Sequence, residues 1–569
     1  MSLNKEQYIA AKHVNGPMLV LAGPGSGKTH LLVERIRMMI EDENINPEHI
    51  LVITFSKKAA RQMQARFYRR VEDKNYPVTF GTFHAVFYGI LRAYDPSIRD
   101  LISEEQQERL VRDAVKNCDL TGTSLCEDFD TDMIIGLIGA YKNFGKERFA
   151  KSGPGKEMTI NEQGAVEKIS EEYTRLCRSE GVIDFDDMIM MCRDILYKHE
   201  SVLRRWKDRY RYILVDEFQD INDGQYDVLR LLAGDTKNVF AVGDDDQSIY
   251  AFRGARPELM KKFIHQYNGC RRVTLTMNYR CCENVIGAAD AVIRHNIERL
   301  ERPMQRHLPS KSVGTVMLIN SENTDVQAVY VCDMIDALTE EGYKAGDIAV
   351  LYRSSHCAKR FIRIAQGRGL DLKITGEDMA VSKQKKIHEA YMRAKRGEAS
   401  RADMFLIMNN PPRGLSRESL CACRNRNYIM CMNDYYKGDT KKLEAVRDLK
   451  QTIENYDGYY AGQDAGKNTK DMINVMTAHA SKGLEFKCVF IIGLQEGLFP
   501  HHRDMEGNAE EERRLMYVAM TRAIERLYMC TVSTAHGKRA SRFAAEASKN
   551  MKYITDILRL TRVNQGTVL

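Results

Sequence analysis

No apolar run in the chain of 569 residues approaches the ~18 residues that a membrane-spanning helix needs. The first residues, MSLNKEQYIAAKHVNG, lack the apolar stretch of a signal peptide, so a cytoplasmic location without a membrane partner is expected. With no secretory signal, the 14 cysteines read as reduced thiols rather than a disulfide framework. The tightest cluster, Cys421, Cys423 and Cys431, has a C-x-C-x7-C spacing without the paired C-x2-C knuckles of common zinc sites, which makes it a poor basis for a metal. There is no internal repeat at a period of ~20–50 residues and no long low-complexity tract. Charge of one sign is also scarce: a net +7 is mild for this length and permits a polyanionic partner without requiring one.

What is present is an ordinary globular composition, 43% hydrophobic and 29% charged, with room for about four domains or subdomains. Short β-branched runs each end in a polar turn: PMLVLAGPGSGKT, ILVITFSKKAA, YILVDEFQD and NVFAVGDDDQ, and later GTVMLIN, DIAVLYRSS, NVMTAHASKG and CVFIIGLQEG. Such runs separated by helical patterns predict parallel strands whose ligands bind beyond their carboxyl ends. The economical reading is α/β, with two parallel-sheet domains. Helical, charged segments without strand signals, about 88–181 and 381–470, read as an insertion in each domain. The stretch SKKAARQMQARFYRR, Ser56 to Arg70, is helix-like and carries six Lys/Arg and no acid. A solvated helix face and a phosphate-tracking face are both open for it.

Gly23, Pro24, Gly25, Ser26, Gly27, Lys28 and Thr29 read as a phosphate loop directly after a strand. Glycines let backbone N–H groups close around phosphate oxygens, Lys28 can reach the β- and γ-phosphates, and the Thr29 hydroxyl can ligate Mg²⁺. Asp216 and Glu217 end the strand YILV at the same edge. Strand alternation would turn one carboxylate to a metal and its neighbour to the attacking water, the plain alternative being a solvated acidic turn. Asp244 to Gln247 close another strand there, where Gln247 can hydrogen-bond the γ-phosphate or its water. Tyr250, Phe252 and Arg253 follow, side chains suited either to stacking on bases or to an ordinary core.

These segments together resemble the UvrD/Rep/PcrA-type superfamily 1 DNA helicases. LNKEQYIA, AGPGSGKT, TFSKKAA, GTFH, DFDDM, VDEFQD, VGDDDQSIYAFRGA, NYR, AVLYRSS, MTAHASKGLEF and EERRLMYVAMTRA occur in the family's order. The resemblance implies two RecA-like motor domains, each carrying a mainly helical insertion: 1–87 with 182–275, 88–181 as its insertion, 276–380 with 471–545, 381–470 as the second insertion, and a tail from 546. It implies Mg-ATP hydrolysis in the cleft and 3′ to 5′ movement on single-stranded DNA, with tailed duplexes as substrates and a protein partner possible. Lys28, Glu217, Gln247, Arg280 and Arg522 would be catalytic, Glu217 as base and the two arginines as fingers across the cleft. Gln7, Gly23, Gly25, Ser26, Gly27, Lys28, Thr29, His30, Tyr279 and Glu485 would bind ATP, with Thr29 and Asp216 on the metal. Phe55, Thr82, His84, Tyr250, Phe252, Arg253 and His479 would contact the strand.

The chain departs from the family pattern in places. His30 stands where an arginine is usual and Phe252 where a tryptophan is, a smaller ring that gives less stacking area. His536 replaces another stacking aromatic. The second insertion is much smaller than in relatives, and no room is expected after Arg522 for a nuclease domain. Competing functions are a strand-stimulated translocase that needs a partner to open duplexes, an ATP-gated binding module, and a kinase. The full hydrolytic set argues against the last two.

Overall fold

The computed structural model describes residues 2–96, 100–118, 120, 131–152, 158–251, 254–300, 306–307, 314–375, 379–410, 413–416, 418–421, 427–456, 472–501, 509–532 and 539–548. Two six-stranded sheets dominate it, and every strand pairing described within them is parallel. The first contains β1 (Met18–Ala22), β2 (Ile50–Thr54), β3 (Thr79–Thr82), β4 (Tyr212–Val215), β5 (Val239–Gly243) and β6 (Arg271–Leu275), in the order β3-β2-β4-β5-β1-β6. The second contains β7 (Thr315–Ser321), β8 (Ile348–Tyr352), β9 (Leu372–Thr375), β10 (Ile473–Thr477), β11 (Phe486–Ile491) and β12 (Ala523–Val532), in the order β7-β12-β11-β8-β10-β9. All eight runs singled out in the sequence are strands. Four more, β3, β6, β9 and β12, carry no clean apolar run and are strands by virtue of their neighbours.

Both sheets are covered on both faces, which is why their central strands read as unbroken apolar runs. Leu19 and Leu21 of β1 join one core with Leu51, Ile213 and Ala241, while Met18 and Val20 face the opposite core with Val52, Leu214 and Val242. The second sheet repeats the arrangement. Between β3 and β4, helices Glu104–Asn117, Thr131–Phe144 and Ile160–Ser179 build a separate core around Leu110, Ile138 and Tyr173. Between β9 and β10, helices including Met379–Lys395 and Thr440–Glu454 enclose Tyr391, Ile407 and Leu449.

No described helix is long and apolar enough to cross a membrane. Ten described cysteines are free thiols. Cys431 departs from the expectation of reduced thiols, since it is disulfide-bonded, which its place in a close-spaced cysteine cluster allows. Cys423, Phe252, Arg253 and His536 lie outside the described residues.

Candidate nucleotide and strand site

The buried strand β1 ends in Ala22, so the loop that begins at Gly23 leaves the strand directly. The loop then turns through Gly25 (φ 68°) and Gly27 (φ 85°) into the helix Lys28–Glu41. Only glycine suits these two places. A Cβ on Gly25 would lie 2.5 Å from Arg280 Cβ and 2.7 Å from Asn278 Oδ1, and one on Gly27 would lie 2.6 Å from Gln7 Nε2. Loop, first helix and the NYR segment are thus packed as a unit. Gln7 Nε2 donates to Ser26 O (3.0 Å), and Asn4 Nδ2 donates to the Tyr279 hydroxyl (2.8 Å). Asn278, fully buried, donates to Pro24 O (2.7 Å) and accepts from the Arg280 and Cys281 N–H groups (2.8 and 2.9 Å). His30 Nε2 is buried without a hydrogen-bond partner among the described residues.

At the end of β4 the two carboxylates separate by a different device from strand alternation. Asp216 N still donates to Ile53 O (2.9 Å) across the sheet, but Glu217 takes a left-handed φ of 53°. That conformation is costly for a non-glycine residue and collects at functional sites. It turns Glu217 to Lys28, whose Nζ lies 3.3 Å from Oε2, while Gln219 Nε2 donates to the same oxygen (2.5 Å). Burial pushes the Asp216 carboxyl up to about 7, helped by the neighbouring charge of Glu217. For Glu217 burial pulls the same way, but Lys28 and Lys482 outweigh it and hold the carboxyl below its usual range.

The three acids of the segment DDDQ are all engaged within the protein. Asp244 accepts from Asp246 N (3.2 Å) and from the Gln247 amide, Asp245 accepts from Leu300 N (2.6 Å), and Asp246 is gripped by Arg299 at 2.8 and 2.7 Å. Two residues past Gln247, Ile249 is fully buried in the core of the second sheet. Tyr250 stacks on Phe55, ring centroids 5.0 Å apart at 9°, and Phe55 remains 39% exposed. Lys482 reaches over from the second domain, pairing with Asp220, donating to Gln247 O (2.8 Å) and standing 4.8 Å over the Tyr250 ring. Burial pushes the Asp220 carboxyl up to about 6 against the pull of Lys482.

Arg280 pairs with Glu485 (Nε to Oε2, 2.6 Å). Arg522 is buried, spending its N–H groups on Val518 O (2.9 Å), Leu484 O (3.1 Å) and Thr521 Oγ1 (3.2 Å). Burial, then the charge of Arg280, lowers its pKa to about 9. Among the described residues no carboxylate pairs with Arg522 within 4.0 Å, so the pocket holds a desolvated cation suited to an incoming anion. On the strand side, Thr82 caps the helix Phe83–Tyr94, its hydroxyl accepting from Ala85 N (3.2 Å). His84 meets Phe185 edge-on at 5.1 Å, and His479 follows β10 half-buried. Thr29 is half-buried at the start of its helix.

Residues 3–268 match the UvrD/REP helicase N-terminal domain, and residues 273–457 and 439–534 match the UvrD-like helicase C-terminal domain. DNA helicase II of Rickettsia typhi is 30% identical over 617 residues, covering 93% of this chain and 92% of that protein. The chain belongs to the UvrD-like helicase family. It is similar also to the ATP-dependent DNA helicase PcrA of Leuconostoc citreum, 29% identical with 96% of this chain and 85% of that protein covered. DNA helicase II of Escherichia coli K12 is 28% identical, with 96% and 87% covered.

Several residues that organise this UvrD-like site escaped the sequence reading: Asn4, Asn278, Gln219, Lys482 and Phe185. Asn4 carried a signal, because Asn followed by Gln three residues later is a capping box, and both of its bonds form (2.8 and 3.0 Å). Phe185 sits in DFDDM, and its 52% exposure beside His84 is what marks it. Asn278, Gln219 and Lys482 lie inside the quoted stretches NYR, VDEFQD and SKGLEF, but nothing in the residue types announces their bonds to Pro24 O, Asp244 N and Asp220, which lie far along the chain.

Proposed function

We propose that the protein is an ATP-dependent DNA helicase that moves 3′ to 5′ on single-stranded DNA, acting in the cytoplasm on tailed duplexes. One observation carries the coupling of hydrolysis to movement: Lys482, from the turn between β10 and β11 of the second sheet, touches Asp220 and Gln247 on the nucleotide side and Tyr250 on the strand side. A shift of Gln247 at the γ-phosphate is then felt at the stacking ring three residues later. The domain division that fits is 1–87 with 182–275 and 276–380 with 471–545, each with its helical insertion. It is supported by the two sheets, each with a core on either face, and by the separate cores of the two helical segments.

The residues fit Mg²⁺. Thr29 and Asp216 offer the oxygen ligands a hard cation takes, and Asp216 is a buried carboxyl beside Glu217, two acids whose charge a divalent ion would offset. Bound there, it would neutralise phosphate charge. Lys28 is the residue that must change partners. Freed from Glu217 to meet the phosphates, it would leave that carboxylate ionised near Lys482 and, among the described residues, hydrogen-bonded to neutral Gln219 alone, oriented for a water. Gln7, Tyr279 and His30 border the adenine end, and Arg280 and Arg522 stabilise charge on the transferring phosphoryl group, an effect worth ~10³–10⁵ in rate for arginine fingers.

The second reading is a strand-stimulated translocase that opens duplexes only with a protein partner. Strand displacement from duplexes with a 3′ or a 5′ tail, with ATP and Mg²⁺, separates the two. Opening of the 3′-tailed duplex alone, abolished by Glu217→Gln, is the expected result. Strand-stimulated hydrolysis without opening would favour the translocase, and no response of hydrolysis to DNA would refute both.

A further inference from the structure

The helix Lys57–Arg70 begins immediately after β2, with Ser56 as its cap and Phe55 just before it. Its inward side, Ala60, Met63 and Phe67, is buried. Its outward side presents Lys57, Lys58, Arg61, Arg66 and Arg69, all exposed, and among the described residues none of the five is in an ion pair. Arg70 is different: it pairs with Glu34 of the preceding helix. The placement works against the helix itself. Its first turn holds no acid, and Lys57 and Lys58 sit at the positive end of the helix dipole. Lys57 with Arg61 and Arg66 with Arg69 are like charges at neighbouring positions of the helix surface, a spacing that weakens a helix. Acids appear only past its end, at Glu72 and Asp73.

We infer that this outward face is a phosphate track for single-stranded nucleic acid, taking the backbone of the strand as it leaves the stacked pair Phe55 and Tyr250. The inference rests on the strand-binding reading above. The helix is about 20 Å long, so its cations extend the contact beyond the bases held at the ring pair. A chain of phosphates is the partner that answers five uncompensated cations in a row, and each cation engaged releases a counterion. The contact reads no sequence.

The test compares the full chain with the triple variant Arg61→Gln, Arg66→Gln, Arg69→Gln. None of the three touches the nucleotide site, so hydrolysis without DNA and its stimulation by an oligothymidylate of about 8 nucleotides should stay unchanged. Affinity for an oligothymidylate of about 30 nucleotides should fall roughly tenfold at low salt. Its logarithmic dependence on salt should flatten by about 2, from ~0.7 per lost phosphate contact. Equal affinity and equal salt slope in the two proteins overturn the track while leaving the helicase reading standing, as does a loss seen with blunt duplex and not with single strand. Failure of the unmodified protein to respond to either oligonucleotide would remove the strand-binding reading and the track together.

Discussion

At the scale of the residue, Lys482 has the most to lose. Its side chain is 8% exposed and its partner Asp220 is fully enclosed. Truncating one partner of such a pair leaves a buried charge uncompensated, typically at ~3–5 kcal/mol, or forces the carboxyl to take up a proton. Lys482→Met should therefore lower the unfolding midpoint. It should also reduce strand-stimulated ATP hydrolysis far more than hydrolysis without DNA, because the lysine also holds Gln247 O and the face of Tyr250. Equal losses in both rates would show that Lys482 only stabilises the fold. Phosphate-loop residues such as Lys28 and Thr29 were legible in the sequence because their chemistry is set by local spacing. Lys482 was not, because its partners lie more than 200 residues away. Glu217 was legible as a catalytic candidate, but not the means of its orientation: a left-handed backbone leaves no trace in the residue type.

At the scale of the element, the second and third helices of the first domain are joined by Glu34, which pairs with Arg37 on its own helix (3.1 Å) and with Arg70 on the next. Burial raises the Glu34 carboxyl, and the two arginines more than reverse this, so its pKa in the folded chain lies below the ordinary 4.5. A depressed folded pKa means stability that is fully present above the unfolded pKa and lost as pH falls through the folded one. Arg70 is half open to water, which limits the pair to roughly 0.2–1 kcal/mol. Glu34→Gln should lower the urea midpoint slightly at neutral pH, and the difference from the parent should shrink as pH drops below 4.5 and vanish only once it is below the depressed folded value. A difference independent of pH would assign the effect to packing. The strands of both sheets show where element-level reading works. Fully buried parallel strands announce themselves as apolar runs, whereas β12, AIERLYMCTV, mixes charges into its first turns of chain and is held by pairing with β7 and β11. The docking of the helix Thr131–Phe144 was equally hidden. Lys142 pairs with Asp184 and Asp187 (2.7 and 2.8 Å), and Asn143 bonds Asp186 and Asn222, tying the insertion to DFDDM.

At the scale of the whole molecule, the two insertions differ in their ties to the motor. Each has a core of its own; the first also shares buried ion pairs with the residues of DFDDM, while the second, enclosing Tyr391, Ile407 and Leu449, is joined to the sheet through β9 and β10. Those two strands are adjacent and parallel, with Thr375 opposite Met476 and Leu372 opposite Ile473. Returning from Thr375 to Ile473 thus spans only about 10 Å along the strands and about 5 Å across them. A Gly/Ser linker of about six residues in place of 381–470, added to the retained flanks, reaches that distance easily and gives the length a crossover between parallel strands requires. Neither the residues of the nucleotide cleft nor the Phe55 and Tyr250 pair lies in the removed segment. The protein so shortened should keep its sheet and its strand-stimulated ATP hydrolysis. If the segment 381–470 exerts little restraint on the rest of the protein, the rate of opening a 3′-tailed duplex should change less than about twofold, a shift of less than ~0.5 kcal/mol in barrier height. A large gain in unwinding would show that even this short insertion holds the motor back. A complete loss of unwinding with hydrolysis intact would instead give the insertion a direct part in separating the duplex.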